Sequence, residues 1–238
     1  DQTENADRWH YQIKKPSEGG WIDIPANALK TKDNGEKSWM NDDKGLDGTY
    51  YYAKLNKDEI TSTFQGEAYT AVAYAWKAPK NGYFKMTLES PITQASSPAP
   101  GFFVCHSSDN QDGKDLFRNI VGANSTITSK IARVHTGEWL RLGATTKNAW
   151  ASGLKPVVME VTAKDYAVQY LEEVSGIEEG NSYTEASKQA VKEARSALQE
   201  AILPEVPDMV VVEQKITALE QAIAGLQEYV PVTEVTLN

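Results

Sequence analysis

The sequence predicts a two-part chain: an antiparallel β-sandwich of jelly-roll type, followed by a small three-helix bundle. Three observations predict it. Up to about residue 163, apolar residues recur in short alternating runs bounded by turn residues, the pattern of half-buried strands. Beyond that point they recur at spacings of three and four, the pattern of one helix face. The charge changes at the same place. Residues 1–163 hold 19 acidic and 19 basic side chains, whereas residues 164–238 hold 14 acidic and 5 basic ones, so the net charge of −9 belongs to the second part. A length of 238 residues suits two domains.

Asp1 to Asp7 reads as a polar lead-in. Arg8 to Lys14 alternates with Trp9, Tyr11 and Ile13 on one face, and Gly20 to Ile24 reads as a second short strand. Lys30 to Gly48 is a long stretch rich in Asn, Asp, Gly and Lys, predicted as a loop with Trp39 and Met40 at its middle. Thr49 to Lys54 returns to strand character. Tyr69 to Lys77 and Gly82 to Glu89 flank Ala78-Pro79-Lys80-Asn81, which predicts a hairpin with Pro at the turn entry and Asn-Gly supplying positive φ. Gly101 to Ser107 follows the Pro98-Ala99-Pro100 break as a strand, and Asp109 to Asp115 reads as a turn. Leu116 to Val121, Thr126 to Val134, Glu138 to Thr145 and Pro156 to Thr162 complete about nine or ten strands, with His135 to Glu138 as a second hairpin turn.

In the second part, Ala167, Tyr170, Leu171, Val174 and Ile177 form one apolar stripe. Val191, Ala194, Leu198 and Ile202 form another, N-capped by Thr184 and stopped by Pro204 and Pro207. Val212, Ile216, Leu219, Ile223 and Leu226 form the third. Three such stripes with short connections predict an up-down-up bundle.

Tyr183-Thr184-Glu185-Ala186-Ser187, Ala190, Ala194 and Leu198, then Leu219 to Ile223 and Leu226, resemble the FIVAR module ("found in various architectures") of large secreted bacterial enzymes. The resemblance covers about residues 164–228 and implies a linking or protein-contacting module without chemistry of its own. Val230 to Asn238 resembles the first strand of a bacterial group 2 Ig-like repeat, so residues 229–238 are expected to lead into a further domain. Val72 to Tyr83, Val134 to Leu142 and Lys155 to Val161 resemble scaffold motifs of the β-sandwich carbohydrate-binding modules appended to bacterial glycoside hydrolases. Together these resemblances imply an extracellular chain, secreted or attached to a cell wall, whose first 163 residues bind a glycan and whose neighbours are other modules of the same polypeptide.

Several classes find no support in the residues. No run of ~18 apolar residues predicts a membrane span. A neutral first part with an acidic second part argues against nucleic acid as a partner. Cys105 is the single cysteine, so neither an internal disulfide nor a cysteine zinc site is expected, and its flanking Phe102, Phe103 and Val104 predict a buried strand position. No nucleophile elbow, phosphate loop or zinc-protease motif occurs, and the chain is read as an ancillary, non-catalytic module.

A sugar offers an apolar C–H face ringed by hydroxyls, so its site needs an aromatic platform with polar partners. Of the six tryptophans, Trp76 and Trp139 lie in alternating strands and read as core, and Trp9 and Trp21 read as core or edge packing. Trp39 and Trp150 sit in polar surroundings that read as loops, either folded back or offered to a ligand. Asn148, Lys147, Asp42 and Arg118 are the polar candidates beside them. Two acidic stretches are candidate structural calcium sites: Asp42, Asp43 and Asp47 in the first, Asp109 and Asp112 in the second. Ordinary Asx/Gly turns are the alternative for both. The alternative for the whole first part is a spacer or a protein-binding adhesin module.

Overall fold

The structure is a computed structural model that describes residues 8–15, 20–23, 29–31, 37–41, 51–55, 59–64, 71–144, 149–179 and 182–228. The chain divides into two compact units, Asp1–Val161 and Thr162–Asn238. The first is built from antiparallel sheets and the second from three helices.

The first unit contains β1 (Trp9–Lys15), β2 (Gly20–Asp23), β3 (Leu29–Thr31), β4 (Lys37–Asn41), β5 (Tyr51–Leu55), β6 (Glu59–Phe64), β7 (Ala71–Lys77) and β8 (Gly82–Leu88). After these come β9 (Gln94–Ala95), β10 (Gly101–Ser107), β11 (Lys114–Ile120), β12 (Ala132–Val134), β13 (Trp139–Ala144), β14 (Ala149–Ser152) and β15 (Pro156–Val161). They form three sheets, in the orders β11-β10-β13-β7-β1-β2, β12-β8-β15 and β3-β4-β5-β6-β14-β9. The expected strand Trp9/Tyr11/Ile13 is β1, with Ile13 buried and Trp9 and Tyr11 packed against the core. That core draws Val72, Tyr74 and Trp76 from β7, Leu140 and Leu142 from β13, Phe102 and Val104 from β10, Phe84 and Met86 from β8, and Ala151 from β14. All three sheets therefore share one apolar interior. Each large aliphatic or aromatic side chain buried there contributes roughly 1.5–3 kcal/mol.

Several sequence expectations are corrected by the strand pairing and backbone. The turn 78–81 does not close a hairpin: β7 pairs with β1 and β13, whereas β8 pairs with β12 and β15 in another sheet. The turn at 135–138 likewise joins β12 of one sheet to β13 of another. The two turns dock on each other instead. Ala78 N–H donates to the Glu138 carbonyl at 2.8 Å, Gly137 N–H to the Ala78 carbonyl at 2.8 Å, and Thr136 N–H to Asn81 Oδ1 at 2.8 Å. Each carries the chain across the core. Positive φ falls on Gly137 (88°), not on Asn81-Gly82. The expected loop 30–48 also contains β4, and Glu59–Phe64, unassigned in the sequence reading, is β6.

The second unit begins with a capping box in which Thr162 and Asp165 each satisfy the other's backbone N–H. Helix α1 runs Ala163–Glu173, α2 Glu185–Ile202 and α3 Met209–Ala224. Thr184 caps α2 as expected, and Pro204 follows its C-cap Leu203. Ile177 lies beyond the end of α1, in the turn. The buried residues Ala167, Val191, Leu198, Val212, Ile216 and Leu219 come from the predicted stripes. The Thr184 N–H donates to the Gln227 carbonyl at 2.9 Å, tying the exit of α3 to the entry of α2. No helix among the described residues is long and apolar enough to cross a membrane.

Candidate functional site

Strand β14 reads Ala149-Trp150-Ala151-Ser152. Alternation buries both alanines and turns Trp150 outward, 37% exposed. Trp21, Trp76 and Trp139 are buried and Trp9 is half-buried, in contrast to Trp150. Its backbone is held on both sides. Trp150 N–H donates to Ser96 Oγ at 3.0 Å, and Ser96 N–H donates to the Trp150 carbonyl at 2.9 Å. Across β6 it aligns with Thr61. An aromatic platform on a pinned strand presents its ring without the ordering cost of a loop. The expectation that Trp150 sits in a loop is thus corrected: the polar stretch hides a four-residue strand.

Trp39 is also a strand residue, aligned with Leu29 and Leu55. Leu55 aligns with Ile60 and Ile60 with Ala151, so Trp39 and Trp150 belong to adjacent rows of one sheet and do not share a row. Lys147, Asn148, Asp42, Asp43 and Asp47 lie outside the described residues.

Arg118 lies elsewhere, on β11. Its Nε and Nη2 donate to the two Asp115 oxygens at 2.7 and 3.0 Å, and its guanidinium stands 5.6 Å from the Phe103 ring centre. Asp112 accepts from Lys14 Nζ and, at 3.3 Å, from Trp21 Nε1. The Lys14 hydrogen bond holds its carboxyl below the usual aspartate range. These two pairs edge a groove of about 290 Å³ on the six-stranded sheet of β1, β7, β10 and β13. Sequence reasoning named Arg118 and Asp112 but missed Lys14, Trp21, Phe103 and Asp115 beside them. Lys14 and Trp21 meet residues 103–118 only through strand register, which no local spacing announces, whereas Asp115 stands three residues before Arg118.

Asp109 folds into its own turn, accepting from Gln111 N–H at 2.7 Å and from Ser107 Oγ at 3.2 Å. Its carbonyl accepts from Arg141 Nη2 at 3.0 Å. Among the described residues, no group of three or more His, Cys, Asp or Glu is placed to hold a metal ion.

No family model matches the chain, and no curated protein matches it. Solved structures that align with it include carbohydrate-binding modules. One contains CBM51-2 in complex with GlcNAc together with INT domains from Clostridium perfringens ZmpB, at 10% identity and a TM-score of 0.23, covering 91% of this chain and 55% of that one. Another is TmCBM61 in complex with β-1,4-galactotriose, at 8% identity and a TM-score of 0.30, covering 63% of this chain and 88% of that one. A third is the Podospora anserina GH26-CBM35 β-(1,4)-mannanase, at 9% identity and a TM-score of 0.30, covering 77% and 47%. The chain thus spans about half of the ZmpB structure, 55% of its length. TM-scores this low carry neither a fold nor a function across, so the functional reading rests on the chain's own residues.

Proposed function

We propose that this chain binds carbohydrate without transforming it, as part of a larger extracellular protein, secreted or attached to a cell wall. In this reading residues 1–163 form a jelly-roll-like sandwich. Residues 164–228 form a FIVAR-like bundle that links it to neighbouring modules, and 229–238 lead into an Ig-like domain. The observation that supports it is Trp150: a large exposed ring on a strand pinned by Ser96. Such a ring buries the C–H face of a sugar, and the adjoining Lys147 and Asn148 supply the polar partners that select among sugars. The attached enzyme would be a glycoside hydrolase, held near a polysaccharide or mucin-type glycan by raised effective concentration. Calcium, if held, would be structural and would engage Asp42, Asp43 and Asp47.

A glycan array probed with the full chain tests this, beside Trp150→Ala and Trp39→Ala and with EDTA as a separate arm. Binding to a defined glycan that Trp150→Ala loses supports the reading, and loss with EDTA brings in calcium. Silence across plant, microbial and mucin glycans overturns it in favour of a spacer or protein-binding role.

A further inference from the structure

The six-stranded sheet has two different faces. One is the core face of Ile13, Val72, Tyr74, Leu140 and Phe102. On the other, a second buried apolar cluster joins Trp21, Ala71, Ala73, Phe103 and Cys105. Register explains its shape. Gln12 aligns with Ala73, Ala73 with Gly143, Gly143 with Phe103, and Phe103 with Arg118. The two central strands thus carry Ala71, Ala73 and Gly143, and the rings of Trp21 and Phe103 lean in over these small residues until their centres stand 5.9 Å apart. The groove lies beside this ring pair, with Ala71, Phe103 and Cys105 among the residues that line it.

The groove's edges are polar and balanced. Lys14 pairs with Asp112 on one side and Arg118 with Asp115 on the other, and all four reach the groove. Two cations face two anions, so the rim offers donors and acceptors together. A phosphate, a sulfate or a polyamine would meet one matched and one opposing partner at each pair. A neutral polyol meets neither penalty: adjacent hydroxyls accept from the ammonium or guanidinium and donate to the carboxylate. A volume of about 290 Å³ lies at the low end for small-molecule sites, the scale of one sugar ring, not a chain.

We propose that this groove is a second carbohydrate site, in a different sheet from Trp150, that takes a single neutral hexose unit over Ala71 and Phe103 between the Lys14–Asp112 and Arg118–Asp115 pairs. The proposal rests on the reading of the chain as a glycan binder and extends it to two sites. A glycan would then be held at two points, and avidity would exceed the affinity of either.

Ligand-observed saturation-transfer NMR on the full chain tests it, with free glucose, galactose, mannose and N-acetylglucosamine as probes. Four proteins are compared: wild type, Trp150→Ala, and Trp150→Ala combined with Arg118→Ala or with Lys14→Ala, each checked for an unchanged thermal melt. At least one hexose is expected to keep its signal in Trp150→Ala and to weaken about tenfold or more in both combined variants, the effect of losing a charged hydrogen bond. If wild type binds and Trp150→Ala is silent, the groove is not a site, while the glycan reading stands. Binding unchanged in both combined variants also overturns the groove. Silence of the wild type toward every hexose overturns the groove, and the array then decides the broader reading by itself.

Discussion

Gly143 lies under the ring of Phe103, so closely that a Cβ at position 143 would stand 2.4 Å from Phe103 Cζ and 2.7 Å from the Val72 carbonyl oxygen. The ring could swing aside, but the carbonyl belongs to the neighbouring strand and cannot. Gly143→Ala should cost roughly 1–3 kcal/mol, the range for overpacking a tight interior. A urea melt against wild type measures it. An unchanged midpoint would mean that β7 and β13 separate more readily than their pairing implies.

Arg141 is fully buried, its guanidinium 5.6 Å from the Trp21 ring centre and 5.2 Å from that of Trp139. Its Nε donates to Gln12 Oε1 at 2.7 Å. Gln12 in turn donates to Asp23 at 2.8 Å. Arg141→Ala takes this donor from Gln12 Oε1 and opens a cavity, at a cost of about 3 kcal/mol or more. Arg141→Lys should recover little, because an ammonium has no planar fork to lie between two rings. Chemical unfolding of the three proteins checks both statements.

Glu138 gathers two histidines: His106 Nε2 lies 2.8 Å from its Oε2, and His135 donates its backbone N–H to the same oxygen at 2.7 Å. Burial opposes ionisation of this carboxyl, yet the His135 N–H and His106 outweigh it and hold its pKa below the usual glutamate value. The sign follows from that direction. The stabilisation is complete above the unfolded-state value, about 4.3, and is lost as pH falls through the lower folded value. Glu138→Gln should therefore be less stable than wild type at pH 7, and the gap should narrow below about pH 4. A gap that is constant with pH would exclude the carboxylate as its source.

Arg195 and Glu178 form a pair deep in the helical unit, where Glu178 is 4% exposed, and Arg195 Nη2 also donates to the Val174 carbonyl at 2.7 Å. Removing one partner strands a buried charge. Arg195→Leu or Glu178→Leu alone should cost about 3–5 kcal/mol, and the double replacement much less than their sum. A double-mutant cycle by thermal melting reads the difference.

Trp150 is an exposed side chain whose strand is secured through backbone atoms. Trp150→Ala should stay within about 0.5 kcal/mol of wild type in stability. A larger loss would mean that the ring packs on the fold, and the platform reading would fall with it.

Short apolar runs bounded by turn residues made β1, β7, β10 and β13 legible, although β7 and β13 prove to be buried on both faces. Strand partners were not legible. Ala78-Pro79-Lys80-Asn81 carries every local mark of a hairpin, yet the docking of that turn on residues 135–138 sends β8 into another sheet. The expected strand 126–134 shrinks to Ala132–Val134, because Ser129 Oγ and the Ile127 carbonyl bond to β8 outside a regular ladder. Polar composition concealed β4 and β14, although the small-large alternation of Ala149, Trp150 and Ala151 does mark a strand with one outward ring. The helical stripes were the most legible part, since helix faces and caps are local.

Cys105 lines the sheet groove, where burial pushes its thiol up to about 11. At neutral pH only about one molecule in ten thousand then carries the reactive thiolate. The chain's single native cysteine is thereby silent to thiol reagents. A cysteine placed at an open position, such as Ile120→Cys at 71% exposure on β11, becomes the one point of attachment. Protein coupled there would sit on a sensor surface in a uniform orientation by a strand of a different sheet from that of Trp150, so immobilisation and capture at Trp150 use different sheets.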